Sequence, residues 1–243
     1  MVRITSRDVR LVSKCGAAQW LTTSQVQRLF FRDVTADRVR KRLRKLGEDG
    51  YLRALQPNQM AEMFHTVGPE GKRLLEGKGL DVKLLRKLPE HLEHLVGIND
   101  IRVEVESAEV EVSYFFAHWE LGKFGWGYPV IPDAVFSVRL GREATFMVEY
   151  DRSTEDRSEL SGKLRQYQSV AGSFPFDAVV IVTESCDAAD RLSHLFRFGR
   201  QAFPVLGTSL HELRAEGMFG PVFSNGSQKV SLCDVLEDAD RDA

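Results

Sequence analysis

A chain of 243 residues, 43% hydrophobic and 28% charged, lies within the range of globular proteins and has room for one large domain or two ordinary ones. Its net charge of −2 conceals an asymmetry, because residues 1–90 hold 19 Lys+Arg against 10 Asp+Glu while the remainder holds 14 against 25. No run approaches the roughly 18 apolar residues of a membrane span, and MVRITSRDVRLV has neither the apolar core nor the cleavage site of a secretory signal. A basic half followed by an acidic half predicts two domains with different partners, the first of them nucleic acid. The three scattered cysteines, Cys15, Cys186 and Cys233, form neither a disulfide framework nor a metal-ligand pair. They are expected as buried thiols of a reduced, cytoplasmic chain.

Residues 4–50 read as three helices in quick succession. The first has Thr5 or Ser6 as its cap, apolar positions Val9, Leu11 and Val12, and Gly16 as a stop. The second starts at Thr22 or Thr23 and carries Val26, Leu29 and Phe30 on one side. The third is capped by Thr35, holds Val39, Leu43 and Leu46 at helical spacing, and ends near Gly47 or Gly50. Two short strands, YLRAL and EMFHTV, then flank the polar turn QPNQ, and GPEGKRLLEGKG opens a fourth helix with Pro69 in its first turn. Three helices and a hairpin are the order of a winged helix-turn-helix, an α+β N-terminal domain. With its apolar residues inward, the third helix turns Arg38, Arg40, Lys41, Arg42, Arg44 and Lys45 outward. Such a helix suits the major groove of double-stranded DNA, arginines reading guanine edges and lysines neutralising phosphates. The bland reading is a solvated basic face; six cations on one short helix exceed what solubility needs. The turn Gln56 to Gln59 has no cation and is expected to make only polar backbone contacts.

Pro89 marks a break, which divides the chain into a winged-helix domain over 1–88 and a second domain over 89–243. From His91 the spacing of Leu92, Leu95, Ile98, Ile101 and Val105 predicts an amphipathic helix to about Ala108. VEVSYFFAHWEL reads as a strand, GKFGWGYP as a glycine-rich turn, and IPDAVFSV and ATFMVEYD as two further strands. A helix follows, capped by Ser153 or Thr154. FDAVVIVTES is a strand buried on both faces, DAADRLSHLFRFGR a helix and AFPVLGTS a strand. The acidic end DVLEDADRDA is expected to fray.

Asp133 opens one strand of this second domain, and Glu149 and Asp151 close the next. Residues i and i+2 of a strand point to one face, so Glu149 and Asp151 project together. With the strand of Asp133 alongside, about 4.8 Å away, three carboxylates converge. Magnesium and manganese take oxygen ligands, and such a metal site would polarise a phosphate and supply hydroxide. The alternative is that Asp133 and Asp151 are turn residues and Glu149 a surface acid, yet Glu149 follows the buried-looking TFMV. No nucleophile elbow and no P-loop occurs.

The block IPDAVFSV…ATFMVEYDRSTEDRSELSGKLRQY resembles the PD-(D/E)XK nuclease superfamily. With ITSRDVRLV, LTTSQVQRLFF, RVRKRLRKLGEDGYL and TVGPEGKRLL before it, the chain over residues 3–205 resembles the replication-relaxation family. Those proteins join a winged helix to a nuclease-like domain and are linked to plasmids and integrating mobile elements. The resemblance implies an α/β restriction-endonuclease-like C-terminal domain. It departs at Asp151, where the superfamily has a lysine that positions the attacking water. Lys163, four residues before Tyr167 and on the same helical face, is the substitute the following helix offers. The expectation is a homodimeric DNA-binding regulator of replication, transfer or transcription, whose nuclease-like domain serves binding or dimerisation. The alternative is a magnesium-dependent endonuclease or nickase using Asp133, Glu149, Asp151 and Lys163.

Overall fold

The computed structural model describes residues 3–125, 127, 129–152, 157–186 and 202–241, in two compact units, 1–99 and 100–243. The helix expected over DAADRLSHLFRFGR and the cap at Ser153 or Thr154 lie outside the described residues. Among the described residues no helix is long and apolar enough to cross a membrane.

The first unit begins with α1 (Ser6–Ala17), β1 (Leu21–Thr22), α2 (Thr23–Phe30) and α3 (Ala36–Glu48). It continues with β2 (Leu52–Leu55), β3 (Phe64–Val67) and α4 (Pro69–Glu76). Local chemistry sets the helix starts. Thr5 and Asp8 form one capping box and Thr22 and Gln25 another, each satisfying backbone N–H groups that a helix leaves open. Thr35 caps α3 without a side-chain hydrogen bond. Leu11, Val12 and Cys15 of α1, Val26 of α2, and Val39, Leu43 and Leu46 of α3 meet in one core, closed by Leu52, Val67 and Leu75. The three strands form an antiparallel sheet in the order β1-β3-β2. The two-residue β1 has too short a pattern to be read from sequence.

A fifth helix, α5 (Leu92–Glu106), carries the chain from the first unit into the second. It is not amphipathic as expected: residues 97–105 are all buried. Polar residues therefore lie inside and take internal partners. The Asn99 amide donates to the carbonyls of Ala18 and Trp20, at 3.0 and 2.9 Å. Asp100 pairs with Arg214 at 2.7 Å, and Arg102 pairs with Glu120 and lies 4.6 Å over the Phe115 ring.

In the second unit β4 (Glu111–Ala117) ends sooner than VEVSYFFAHWEL suggests, and His118–Leu121 coil into the short α6. The cause is Glu120, which folds back to accept the Ala117 backbone N–H at 3.0 Å while paired to Arg102. Next come β5 (Ala134–Leu140), β6 (Arg142–Asp151), α7 (Arg157–Val170) and β7 (Ala178–Thr183). Then follow β8 (Val205–Ser209), α8 (Leu210–Glu216), β9 (Phe223–Ser224), β10 (Lys229–Val230) and α9 (Leu232–Arg241). Among the described residues the strands make one seven-stranded sheet in the order β10-β9-β8-β7-β6-β5-β4. Its central strands β6, β7 and β8 run parallel, and the flanking pairs are antiparallel. A mixed α/β architecture results. β7 is buried along its whole length, as its unbroken apolar run predicts. α7 covers one face, where Leu160, Leu164 and Tyr167 pack on Val135, Met147, Val179 and Ile181.

Two further expectations need correction. Over its described residues the acidic end is helical: α9 runs to Arg241, opened by reciprocal Ser231–Asp234 hydrogen bonds and held by buried Leu232, Val235 and Leu236. Of the three free thiols only Cys15 is buried, and burial pushes it up to about 12; Cys186 and Cys233 are half-exposed.

Candidate functional site

α3 presents the densest cationic surface that the sequence predicts. Val39, Leu43 and Leu46 fix its inner face, and Arg38, Arg40, Lys41, Arg44 and Lys45 are exposed on the outer one. Lys41 pairs with Asp37 at 2.8 Å and Arg44 with Glu48 at 3.6 Å, all four side chains more than half exposed. Such surface pairs contribute little to stability and exchange readily for a phosphate partner.

Arg42 does not belong with them. Its guanidinium turns back to α1, where Nε donates to Asp8 Oδ1 at 2.9 Å and the terminal nitrogen bonds Asp8 Oδ2 and the Arg3 carbonyl. The Asp8 side chain is fully buried. Burial alone would raise its pKa, but hydrogen bonds from Arg42 and Thr5 and the charge of Arg42 outweigh it and hold the carboxyl low. Arg42 is therefore an internal anchor that fastens α3 to the start of α1. The physical reason is its place on the helix, three residues after Val39 and three before Lys45, on the flank of the apolar stripe.

Between α3 and the β2–β3 hairpin lies a cavity of about 540 Å³, walled by Arg40, Lys41 and Arg44 on one side and Ala54, Met63 and His65 on the other. His65 is buried, which pushes its pKa down to about 4, and its Nε2 lies 3.0 Å from Thr23 Oγ1. Nothing in the residue pattern marks this histidine, because both strands are only four residues long.

In the second unit the β5–β6 register pairs Ala134 with Val148 and Val135 with Met147. Continued by one residue, it sets Asp133 opposite Glu149. The single residue between the strands, Gly141, takes the left-handed φ of 76° that this tight return needs. Asp133 Oδ2 accepts the Tyr150 backbone N–H at 2.8 Å, which fixes it at the end of β6. Glu149 is buried under α7, and both its oxygens are engaged. Oε2 accepts from Lys163 Nζ at 2.7 Å and Oε1 from the Tyr167 hydroxyl at 2.5 Å. Burial, and after it the charge of Asp133, raises Glu149 to about 7 despite the opposing effects of Lys163 and Tyr167. The structure thus brings Asp133, Glu149, Lys163 and Tyr167 into one cluster. Asp151 is buried two residues beyond Glu149, beside Thr183 of β7.

The donor types suit magnesium or manganese, which prefer carboxylate oxygen. The geometry as it stands does not fit such an ion at Glu149, since both oxygens already have partners and a cation there would have to displace the Lys163 ammonium.

A model of the family described as replication-relaxation matches residues 15–179, more than half of the chain and parts of both units. No curated protein and no solved structure gives a match.

Proposed function

Because this chain belongs to the replication-relaxation family, we propose that it is a double-stranded DNA-binding protein of a plasmid or integrating mobile element, regulating replication, transfer or transcription. One observation carries the reading. The five exposed cations of α3 stand on a helix pinned from behind by the buried Asp8–Arg42 pair. A helix already anchored in place loses little backbone freedom on docking, and charge is what a phosphate backbone selects. In this reading residues 1–88 act as a winged helix-turn-helix, α3 lies in the major groove, and the β2–β3 hairpin is the wing. Two such units, in a homodimer, would read two half-sites about one helical turn apart.

The second unit, in the same reading, keeps a PD-(D/E)XK nuclease frame without rapid cleavage. Strand order, the carboxylates Asp133, Glu149 and Asp151, and the position of Lys163 support the likeness. Asp151 stands where a positive charge would assist the attacking water, and Lys163 donates to Glu149 instead of serving water. The ammonium takes the place that a divalent cation would hold.

A plasmid-nicking assay with manganese tests both halves, using the natural protein, Glu149→Ala and Lys163→Ala. Retention of duplex DNA by all three without nicking is the expected result. Rapid nicking by the natural protein, lost in both variants, would make this chain a metal-dependent endonuclease; failure to retain any duplex would remove the DNA-binding reading.

A further inference from the structure

The hairpin beside α3 has an unusual tip. Residues 54–63, ALQPNQMAEM, contain no lysine or arginine, so the loop offers the phosphate backbone no charge. At its apex Met60 is 96% exposed. An exposed methionine alone signifies little, since single apolar residues are common on surfaces. The backbone that carries this one is held in place. Asn58 Oδ1 accepts the backbone N–H groups of Met60 and Ala61, each at 2.9 Å. Gln56 Nε2 donates across the loop to the Ala61 carbonyl at 2.8 Å.

The arms of the hairpin are tied to α2 as well. Glu62 accepts from the Ser24 backbone N–H at 2.6 Å and from its hydroxyl at 2.8 Å, and the Thr23 N–H donates to the Met63 carbonyl at 3.0 Å. The carboxylate nearest the tip is thereby drawn to the helix start. What remains at the tip is an exposed thioether on a hydrogen-bonded backbone, flanked by the exposed amides of Asn58 and Gln59.

We propose that this hairpin enters the minor groove next to the α3 contact and wedges Met60 between base pairs, bending the duplex. The proposal rests on the DNA-binding reading of α3. Its chemistry follows from the groove itself. The minor groove presents the N3 and O2 acceptors of A·T pairs, which amide N–H groups satisfy, and apolar side chains inserted there part adjacent bases and kink the helix. The cost of unstacking is least at pyrimidine–purine steps, so a TA step at that position is preferred. A tip whose backbone is already hydrogen-bonded loses little backbone freedom on insertion, which a flexible loop would forfeit. A protein partner would need a wider apolar patch than one methionine ringed by amides.

The test uses the full chain and a duplex of about 30 base pairs that the natural protein retains from a random-sequence pool, labelled with a dye at each end. Energy transfer should rise on binding, reporting a bend of at least about 20°. Met60→Ala should bind the same duplex and lose the rise, while Met60→Leu, which keeps an apolar wedge, should retain it. A bend that persists in Met60→Ala, or a natural complex without a bend, overturns the proposal and leaves DNA binding by α3 intact. Retention of no duplex by the natural protein overturns both.

Discussion

At Glu149 burial and the charge of Asp133 act against Lys163 and Tyr167, and the carboxyl ends at about 7 against an ordinary value of 4.5. Between those two values the unfolded chain ionises this group while the folded chain keeps its proton. Stability contributed here is therefore complete below pH 4.5 and declines as pH rises to about 7. Urea unfolding at pH 5 and pH 8 should show the natural protein losing more stability than Glu149→Gln, by on the order of 2–3 kcal/mol. Equal losses would mean that the fold carries no ionisable strain at this position. Arg42 makes a second case at the same scale. Arg42→Ala leaves the buried Asp8 carboxylate, among the described residues, with its Thr5 hydrogen bonds and should lower stability by about 3 kcal/mol, with Asp8→Asn in the same background restoring part of it. An unchanged urea midpoint in Arg42→Ala would remove its anchoring role. Both residues show what sequence can and cannot reveal. The TFMV run before Glu149 marks it as buried, and its spacing from Asp133 across a short turn gives their pairing. Arg42 reads as one more outward arginine, because its partner lies 34 positions away and no local period connects them.

Among the elements, the helices and hairpin of the first unit are legible because caps and apolar spacing agree, at Thr5, at Thr22, and at Val39, Leu43 and Leu46. α5 is less legible because it is buried along most of its length, so its polar residues carry no outward signal. GPEG reads simply as the opening of a helix, and the structure gives its second glycine a steric cause. A Cβ at Gly71 would lie 2.2 Å from the Tyr51 carbonyl oxygen and 2.9 Å from Val12 Cγ1, so α4 reaches the hairpin only because that carbon is missing. Gly71→Ala should therefore lower stability by about 3 kcal/mol by pushing α4 off the core. Gly77→Ala, whose nearest neighbouring atom is at 3.5 Å, should stay within about 0.5 kcal/mol. Equal urea midpoints for the two variants would contradict this account of how α4 docks.

The whole molecule divides its charge as it divides its chain, with the positive excess before residue 91 and the negative excess after it. That division is plain from composition, and the family follows from motif order across both halves. Which cations face outward and which serve the fold is not plain, because it depends on which way each side chain turns from a single helix. The most direct test is the salt dependence of duplex binding, measured by fluorescence anisotropy at several salt concentrations for the natural protein, Arg40→Ala/Arg44→Ala and Arg42→Ala. Removing a cation that neutralises one phosphate reduces the steepness of log affinity against log salt by about 0.9. If the exposed face of α3 is the DNA surface, the double variant flattens the slope by up to about 2, while Arg42→Ala, measured where it remains folded, keeps the natural slope. An unchanged slope in the double variant, or a flattened slope in Arg42→Ala alone, would contradict the account.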